Sequence, residues 1–482
     1  MKRSAAYILI ALLCTLTSCR DKIEPIPTPG PDPDPVLPND TIPEKPLWPE
    51  GKGKSYVWDD DVVPEVTIII SEQEWNNLLT EYDKNSNTTK YVKAAAVFNK
   101  ADVCDTLSEI GIRLRDNLRC RRPEGKAGEK HRVNEAEWHQ SNFELSFSLY
   151  DSDASLREVS GIFLKSCVND PSYARERYCF DLFERYGIPF MPRNIYCKVN
   201  IHVEGDEKAA YFGLYQMIEP IDSDYLKDRI KIFGNDKGFL WKCRTGATLA
   251  TSNQSMDVMS SDGKDPTYAL VNNHKAFSMA KEQLSSFIDN LNKLNNNNFY
   301  EWIETVIDVK TLLKSYAVLV AVGAADDYWN TGNNYYLYFN LPSADKYKVF
   351  FIPHNFEVSL GNNDGSIMAD SALQNPMEWG RTKNPLMGRL LQNAKYADMF
   401  KAYLQELTSP ESYLFCKEAG MLTVMDFMYD AAPYTSNATG TNMRATDRTA
   451  AWSSKEYRLT EDSDINFFKV RSETIQSVLA KE

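Results

Sequence analysis

The stretch KVFFIPHNFEVSLG, residues 348–361, runs apolar to Pro353 and then presents His354, Asn355 and Glu357 before Gly361. An imidazole, an amide and a carboxylate at the tip of a buried strand are donor types that hold a metal ion and the phosphates it carries, or they form only a turn. A second candidate pair, Asp326 and Asp327, follows the apolar run LLKSYAVLVAVGAA. Acids disfavour the negative pole of a helix C-terminus, so a site explains this pair better than helix chemistry does.

The elements that must position these groups can be read in order. VPEVTIIISEQEWNNLLTEY opens with a β-branched strand over 66–70, then passes Ser71, with Glu74 three residues on, into a helix carrying Trp75 and Leu78. YVKAAAVFN, LSEIGIRLRDN and NFELSFSLYD read as further strands, the second alternating Ile110, Ile112 and Leu114 against Arg113 and Arg115. With turns between them, these strands predict an antiparallel sheet. A strand bearing Lys165, a turn at Asn169-Asp170-Pro171 and an amphipathic helix over 173–186 ended by Gly187 come next. A hairpin around Glu204-Gly205-Asp206 follows, and its second strand ends at Glu219.

Beyond residue 270 the periodicity is helical, in KEQLSSFIDNLNKL, WIETVIDVKTLLKSYAVLVAVGAADDYW, PLMGRLLQNAKYADMFKAYLQEL and DINFFKVRSETIQSVLAK. One strand pair, NNYYLYFN with KYKVFFIP, is inserted among them. The fold class expected is α+β, with a sheet-rich front lobe over about 60–230 and a mostly helical back lobe over about 231–482. Ligands usually lie between such lobes.

The N-terminal stretch MKRSAAYILIALLCTLTSC pairs Lys2 and Arg3 with an apolar segment too short for a comfortable membrane span, the pattern of a secretory signal over 1–18. Leu16-Thr17-Ser18-Cys19 has the form of a bacterial lipobox, so Cys19 is expected to carry lipid as the first mature residue. The anchor then lies in the cell envelope, on a membrane outside the cytoplasm, with the outer membrane or cell surface as the expected place. Residues 19–55 are rich in proline and acid and read as an extended tether. At roughly 3 Å per residue it reaches up to ~90 Å. The formal charge of −13, or −15 without Lys2 and Arg3, excludes a nucleic-acid partner.

Nine cysteines, less Cys14 and Cys19, leave seven, with no CxxC pair and therefore no zinc knuckle. An odd number leaves at least one thiol free, and their scatter through apolar segments suggests small core residues. No Ser-His-Asp nucleophile elbow, Walker loop, dinucleotide fingerprint or HExxH is present.

Taken together, VPEVTIIISEQEWNNLL, GIRLRDN, SGIFLKSCVNDPSYARERYCFDLFERYGIP, YFGLYQMIEPIDSDYLKDR, NNYYLYFN, FFIPHNFEVSLG and FFKVRSETIQSVL resemble the spore-coat CotH family of atypical, secreted protein kinase-like proteins. The resemblance runs from about Pro64 to Ala480 and implies a bilobal kinase-like fold that binds ATP with magnesium or manganese. It further implies transfer of the γ-phosphoryl group to Ser or Thr of secreted or surface proteins. Such transfer needs cations on the phosphates, carboxylates for the metal and a carboxylate to orient the attacking hydroxyl.

On that resemblance Lys165 is the phosphate-contacting lysine, with Glu219 its acidic partner or a group near the metal, and Arg113 and Arg115 alternative cations. Asp326 and Asp327 match the catalytic aspartate position, and Asn334 the metal-holding asparagine, with Asn330 or Asn333 as alternatives. Where the family carries Trp-Asp-x-Asp, this sequence has His354-Asn355-Phe356-Glu357, so Asn355 and Glu357 stand at the metal positions and the site is weakened. RDNLRCRRPEGKAGEKHR departs too, lacking the glycine that follows Arg-x-Arg in the family. Two rival readings are a pseudokinase that works by binding, and a surface scaffold whose 26 tyrosines and nine tryptophans stack on sugars. The last requires a row of exposed aromatic residues.

Overall fold

The front strands alternate buried and more exposed positions, and they close into a barrel. The computed structural model describes residues 53–86, 88–115, 121–167, 170, 172–251, 259–260, 266–362, 367–380, 384–419, 457–459 and 462–481. The expected signal segment, Cys19, the Pro-rich tether up to residue 52, Cys120, Asn169 and Pro171 lie outside the described residues, and the tether's last residues, Lys54 and Ser55, begin a short helix.

The barrel strands are β1 (Glu65–Ile70), β2 (Val92–Lys100), β3 (Val103–Leu114), β4 (Phe143–Ser146), β5 (Gly161–Ser166), β6 (Asn194–Val203) and β7 (Ala210–Ile218). Their order is β1-β2-β3-β4-β5-β7-β6. Neighbours pair antiparallel except β1 and β6, which run parallel in the register Glu65 to Lys198 through Ile70 to Val203. The expected antiparallel pairing of the front strands holds, and the parallel β1–β6 contact adds closure, which removes both sheet edges. Inside lie Val66, Ile68, Ile110, Ile112, Leu114, Val199 and Ile201, all buried. Short α1 (Lys54–Trp58) and then α2 (Glu72–Lys84) accompany the barrel. Helix α2 is capped as expected, with the Ser71 hydroxyl accepting the Glu74 amide at 3.2 Å, and it buries Trp75, Leu78 and Leu79.

The remaining helices are α3 (Arg175–Arg185), α4 (Ser223–Asp228), α5 (Ile230–Phe233), α6 (Phe277–Lys293), α7 (Asn296–Val306), α8 (Val309–Ala321), α9 (Tyr328–Thr331), α10 (Pro385–Leu390), α11 (Ala394–Thr408) and α12 (Phe467–Leu479). The second sheet contains β8 (Phe239–Cys243), β9 (Met259–Ser260), β10 (Tyr268–Leu270), β11 (Tyr335–Phe339) and β12 (Val349–Pro353) in the order β12-β11-β8-β10-β9. The single expected hairpin, β11 with β12, is thus the edge of a five-stranded sheet. Strands β9 and β10 span two and three residues, too few for a period-two pattern to register.

The long helical run expected across 302–329 is cut twice. Asp308 caps α8 by accepting the Lys310 amide at 3.1 Å, and Gly323 turns the chain out of α8 with φ +65. A Cβ at Gly323 would also meet Phe467 Cζ at 2.9 Å. Buried Arg471 of α12 fixes this corner, its Nε and Nη2 donating to the Val320 carbonyl at 3.1 and 2.9 Å. Helix α3 packs Tyr178, Cys179, Leu182 and Phe183 into the helical core, although it follows a barrel strand. Cys167, Cys179, Cys197 and Cys243 are buried free thiols, as small core residues should be.

Candidate functional site

Lys165 sits near the end of β5, opposite Gln216 of β7, and is buried. A buried ammonium requires anionic or strongly polar partners. Its Nζ meets Glu176 Oε2 at 2.5 Å and Glu357 Oε2 at 3.6 Å, and it donates to the Asn355 side-chain oxygen. Glu176 is in the first turn of α3, and its Oε1 accepts the Phe356 amide at 3.1 Å. One carboxylate thereby ties strand β5, helix α3 and the loop after β12.

Burial alone would lower the Lys165 ammonium, but Glu176 and Glu357 outweigh it and hold it above its ordinary value. Burial, opposed by Lys165, pushes Glu176 up. The two directions compete over one pair; three oxygen contacts around Lys165 favour the charged ammonium.

The sequence offered Glu219 either as the partner of Lys165 or as a group near the metal. The structure corrects that pairing: Glu219 accepts from Arg193 Nη1 at 2.6 Å and Arg229 Nη2 at 2.6 Å, while Lys165 takes Glu176. Sequence reasoning missed Glu176. The signal available was an acid on an inward-facing position of RERYCFDLFERYG, where the helix places it among Tyr178, Cys179 and Phe183.

Asp326 and Asp327 do not end the apolar helix; they follow the Gly323 turn. The loop is pinned by Leu360 N to Val322 O at 2.7 Å and Ala325 N to Val358 O at 3.1 Å, which brings Asp326 beside the Glu357 segment. The pair then divides. Asp327 is buried and caps α9, accepting the Asn330 amide at 2.8 Å, and burial pushes its carboxyl up to about 7. Asp326 accepts from Thr331 Oγ1 at 2.6 Å and from Asn333 and Asn334 Nδ2, each at 3.0 Å. Burial, with a contribution from Glu357, raises its carboxyl too.

Asn334 precedes β11 and Asn355 follows β12. Because Tyr335 pairs with Pro353, and the His354 amide donates to the Asn334 carbonyl at 3.0 Å, the two strand ends place these amides together. Both asparagines take left-handed backbone, φ +57 and +61, a conformation asparagine tolerates better than most residues. Asn355 Nδ2 donates to Asn334 Oδ1 at 3.1 Å. A continuous polar chain therefore runs from Glu176 through Lys165, Asn355 and Asn334 to Asp326, with Glu357 alongside.

His354 is held neutral by burial and by Lys242, Arg115, Lys165 and Arg244, surroundings that oppose a metal cation at its ring. Arg113 and Arg115 lie on the outer face of the barrel and pair with Glu144 at 2.8 and 3.3 Å, whereas Lys165 pairs with Glu176. Against burial, these arginines hold Glu144 down to about 2.

Glu176, Glu357 and Asp326 set three carboxyl groups against one ammonium. Asp326, Glu357 and the Asn334 side-chain oxygen are hard oxygen donors in a site with excess negative charge, which fits a divalent cation of the magnesium or manganese type.

These observations define a class: a mixed α+β protein with a closed barrel, a second sheet, and a buried Lys–Glu pair leading to an aspartate–asparagine cluster. Residues 128–411, more than half of the 482-residue chain, match the CotH kinase protein family, and the chain belongs to that family. The match includes Lys165, Glu176, Glu219, Asp326, Asp327, Asn334, Asn355 and Glu357, and leaves out Arg113 and Arg115. No curated protein matches the chain.

Proposed function

We propose that this protein is an exported lipoprotein with a bilobal kinase-like domain, which transfers the γ-phosphoryl group of ATP to Ser or Thr hydroxyls of secreted or surface proteins. Family membership supports a kinase-like activity. The single observation that carries the finer reading is the charged chain from Lys165–Glu176 to Asp326. Phosphoryl transfer asks for a fixed cation, metal-holding oxygens and a carboxylate aimed at the acceptor hydroxyl, and each residue type is present within that chain.

In this reading Lys165 is positioned by Glu176 to meet phosphate oxygens. Asp326, Asn334 and Glu357 would hold a divalent cation, which neutralises phosphate charge when bound. Asp326 also orients the acceptor hydroxyl, its carboxylate fixed by Thr331 and the two asparagines. Asp327 shapes the loop. Lipid on Cys19 anchors the protein to a membrane of the cell envelope, and nucleic acid is not a partner.

A second reading, a pseudokinase that binds without transfer, is favoured by Asn355, whose side-chain oxygen goes to Lys165 instead of presenting a carboxylate to the metal. The sugar-stacking alternative loses its support. Among the described residues the exposed aromatic side chains are Tyr150 and Tyr413, two residues that make no row.

The binding half of the proposal is tested by melting the full-length protein with ATP, with and without Mg²⁺ or Mn²⁺. A site of this kind gives a metal-dependent rise, about 2.7 kcal/mol of added stability at a ligand concentration of 100 Kd. No rise with either metal contradicts it. Mass spectrometry of the membrane-bound protein tests lipid on Cys19.

A further inference from the structure

Segment 121–139, between β3 and β4, folds back on itself, with the Gly125 amide on the Glu137 carbonyl and the His139 amide on the Pro123 carbonyl, each at 2.9 Å. It lies against α2, where Arg122 Nε donates to Asp83 Oδ1 at 2.9 Å and the His131 amide donates to Asn76 Oδ1 at 2.8 Å. It also reaches the turn between β6 and β7, where the Glu207 amide donates to Asn134 Oδ1 at 2.7 Å. Its Trp138 packs edge-on against Trp75 of α2 and Phe212 of β7, with ring centroids 5.7 and 5.5 Å apart.

The His131 side chain, 0% exposed, lies between two carboxylates. Its Nδ1 is 3.0 Å from Glu124 Oε2, and its Nε2 is 3.4 Å from Asp206 Oδ2. Glu124 also accepts from Trp75 Nε1 at 2.7 Å on Oε2 and from the Arg132 amide at 3.0 Å on Oε1. With a donor already on each oxygen, Glu124 meets Nδ1 as an acceptor, so Nδ1 carries the hydrogen. A neutral ring then turns a lone pair towards Asp206, and only the imidazolium offers an N–H to both acids.

The other charged groups leave this balance in place. Helix α2 contributes Glu72, and the β6–β7 turn contributes Asp206, whose Oδ1 accepts the Asn134 amide. His202 of β6 meets the Asp206 backbone carbonyl, at 3.1 Å, and not its carboxylate. On the segment itself Arg122 goes to Asp83, and Arg132 to Glu135 at 2.7 Å. Among the described residues His131 is therefore the one basic side chain within ion-pair distance of Glu124 or Asp206. Burial alone would lower its imidazolium, but Glu124, then Asp206 and Glu72, outweigh burial and hold it above its ordinary value.

We propose that His131 is a pH-operated latch, which as imidazolium holds segment 121–139 to the β6–β7 turn and as neutral imidazole releases that turn. A histidine raised on folding contributes its stability in full below about 6.5, and the contribution is lost as pH rises through the folded value. The segment is closed in mild acid and loosens on the alkaline side. The inference goes beyond the proposed phosphotransfer and stands without it.

Hydrogen exchange of the full-length protein, read by mass spectrometry from about pH 6 to about pH 9 and corrected for the intrinsic rate, tests the latch. Protection of peptides from 121–139 falls by about tenfold or more, the scale of one hydrogen bond to a charged group, while peptides from β1 keep theirs. His131→Gln removes the titration and leaves protection flat with pH. Asp206→Asn supplies an amide that donates to neutral Nε2, so its segment stays protected at the alkaline end, a gain that damaged folding does not produce. Wild-type protection that does not change with pH, an equal loss over β1, or the wild-type fall persisting in either variant overturns the proposal.

Discussion

Lys165 Nζ and Glu176 Oε2 lie 2.5 Å apart, both side chains buried, and their contact joins a barrel strand to a helix of the second core. Removing one member of such a pair strands a charge. Lys165→Met or Glu176→Gln alone is therefore expected to cost about 3–5 kcal/mol, and Lys165→Met/Glu176→Leu less than the sum of the two. Denaturant titration of the two single variants and the double variant checks this; strict additivity contradicts a coupled pair.

Glu219 gives the opposite contrast. It is bound by Arg193 and Arg229 rather than by Lys165. Glu219→Gln should lower stability by about 3–5 kcal/mol, because the largely buried Arg229 loses its carboxylate and Arg193 is left with Asp228 alone, at 3.0 Å. The rate of any phosphoryl transfer, measured well below the melting temperature, should stay at the wild-type level. A rate loss without a stability loss would return Glu219 to the reacting cluster.

The Asp327 carboxyl is raised to about 7 by burial. A carboxyl raised on folding keeps its proton in the native state after the unfolded chain has released it at about 4, so the native state binds more protons in that interval. Stability from this group is full below pH about 4 and falls as pH rises towards about 7. Asp327→Asn keeps a helix-capping side chain without the titration. The variant should flatten the pH dependence of stability between about 4 and 7 and gain roughly 1–3 kcal/mol over wild type at pH 8. Parallel wild-type and variant profiles contradict the assignment.

Much of the local structure was legible in the residues. Ser71 with Glu74 gave the cap of α2, Gly187 the end of α3, and the alternation of Ile110, Ile112 and Leu114 the inward face of β3. Barrel closure was not, because the Glu65 to Lys198 pairing joins segments far apart in sequence and leaves no periodic trace in either one. The site was half legible. Asn334, Asn355 and Glu357 stand beside apolar strands and Asp326 just past an apolar helix, where polar residues stand out. Glu176 is hidden on a helix as an ordinary acid, and only the fold reveals that its side chain points at Lys165.

The central claim is that the cluster from Lys165 to Asp326 transfers phosphate. Its most direct test is the transfer of label from γ-labelled ATP by the full-length protein, with Mg²⁺ and then Mn²⁺, onto exported protein substrates. Asp326→Asn is expected to reduce the rate by about a hundredfold or more, the scale of a lost acid–base group, with the variant still folded. Label transferred equally by wild type and Asp326→Asn, or no transfer with either metal, would contradict the account and leave a protein that acts through binding.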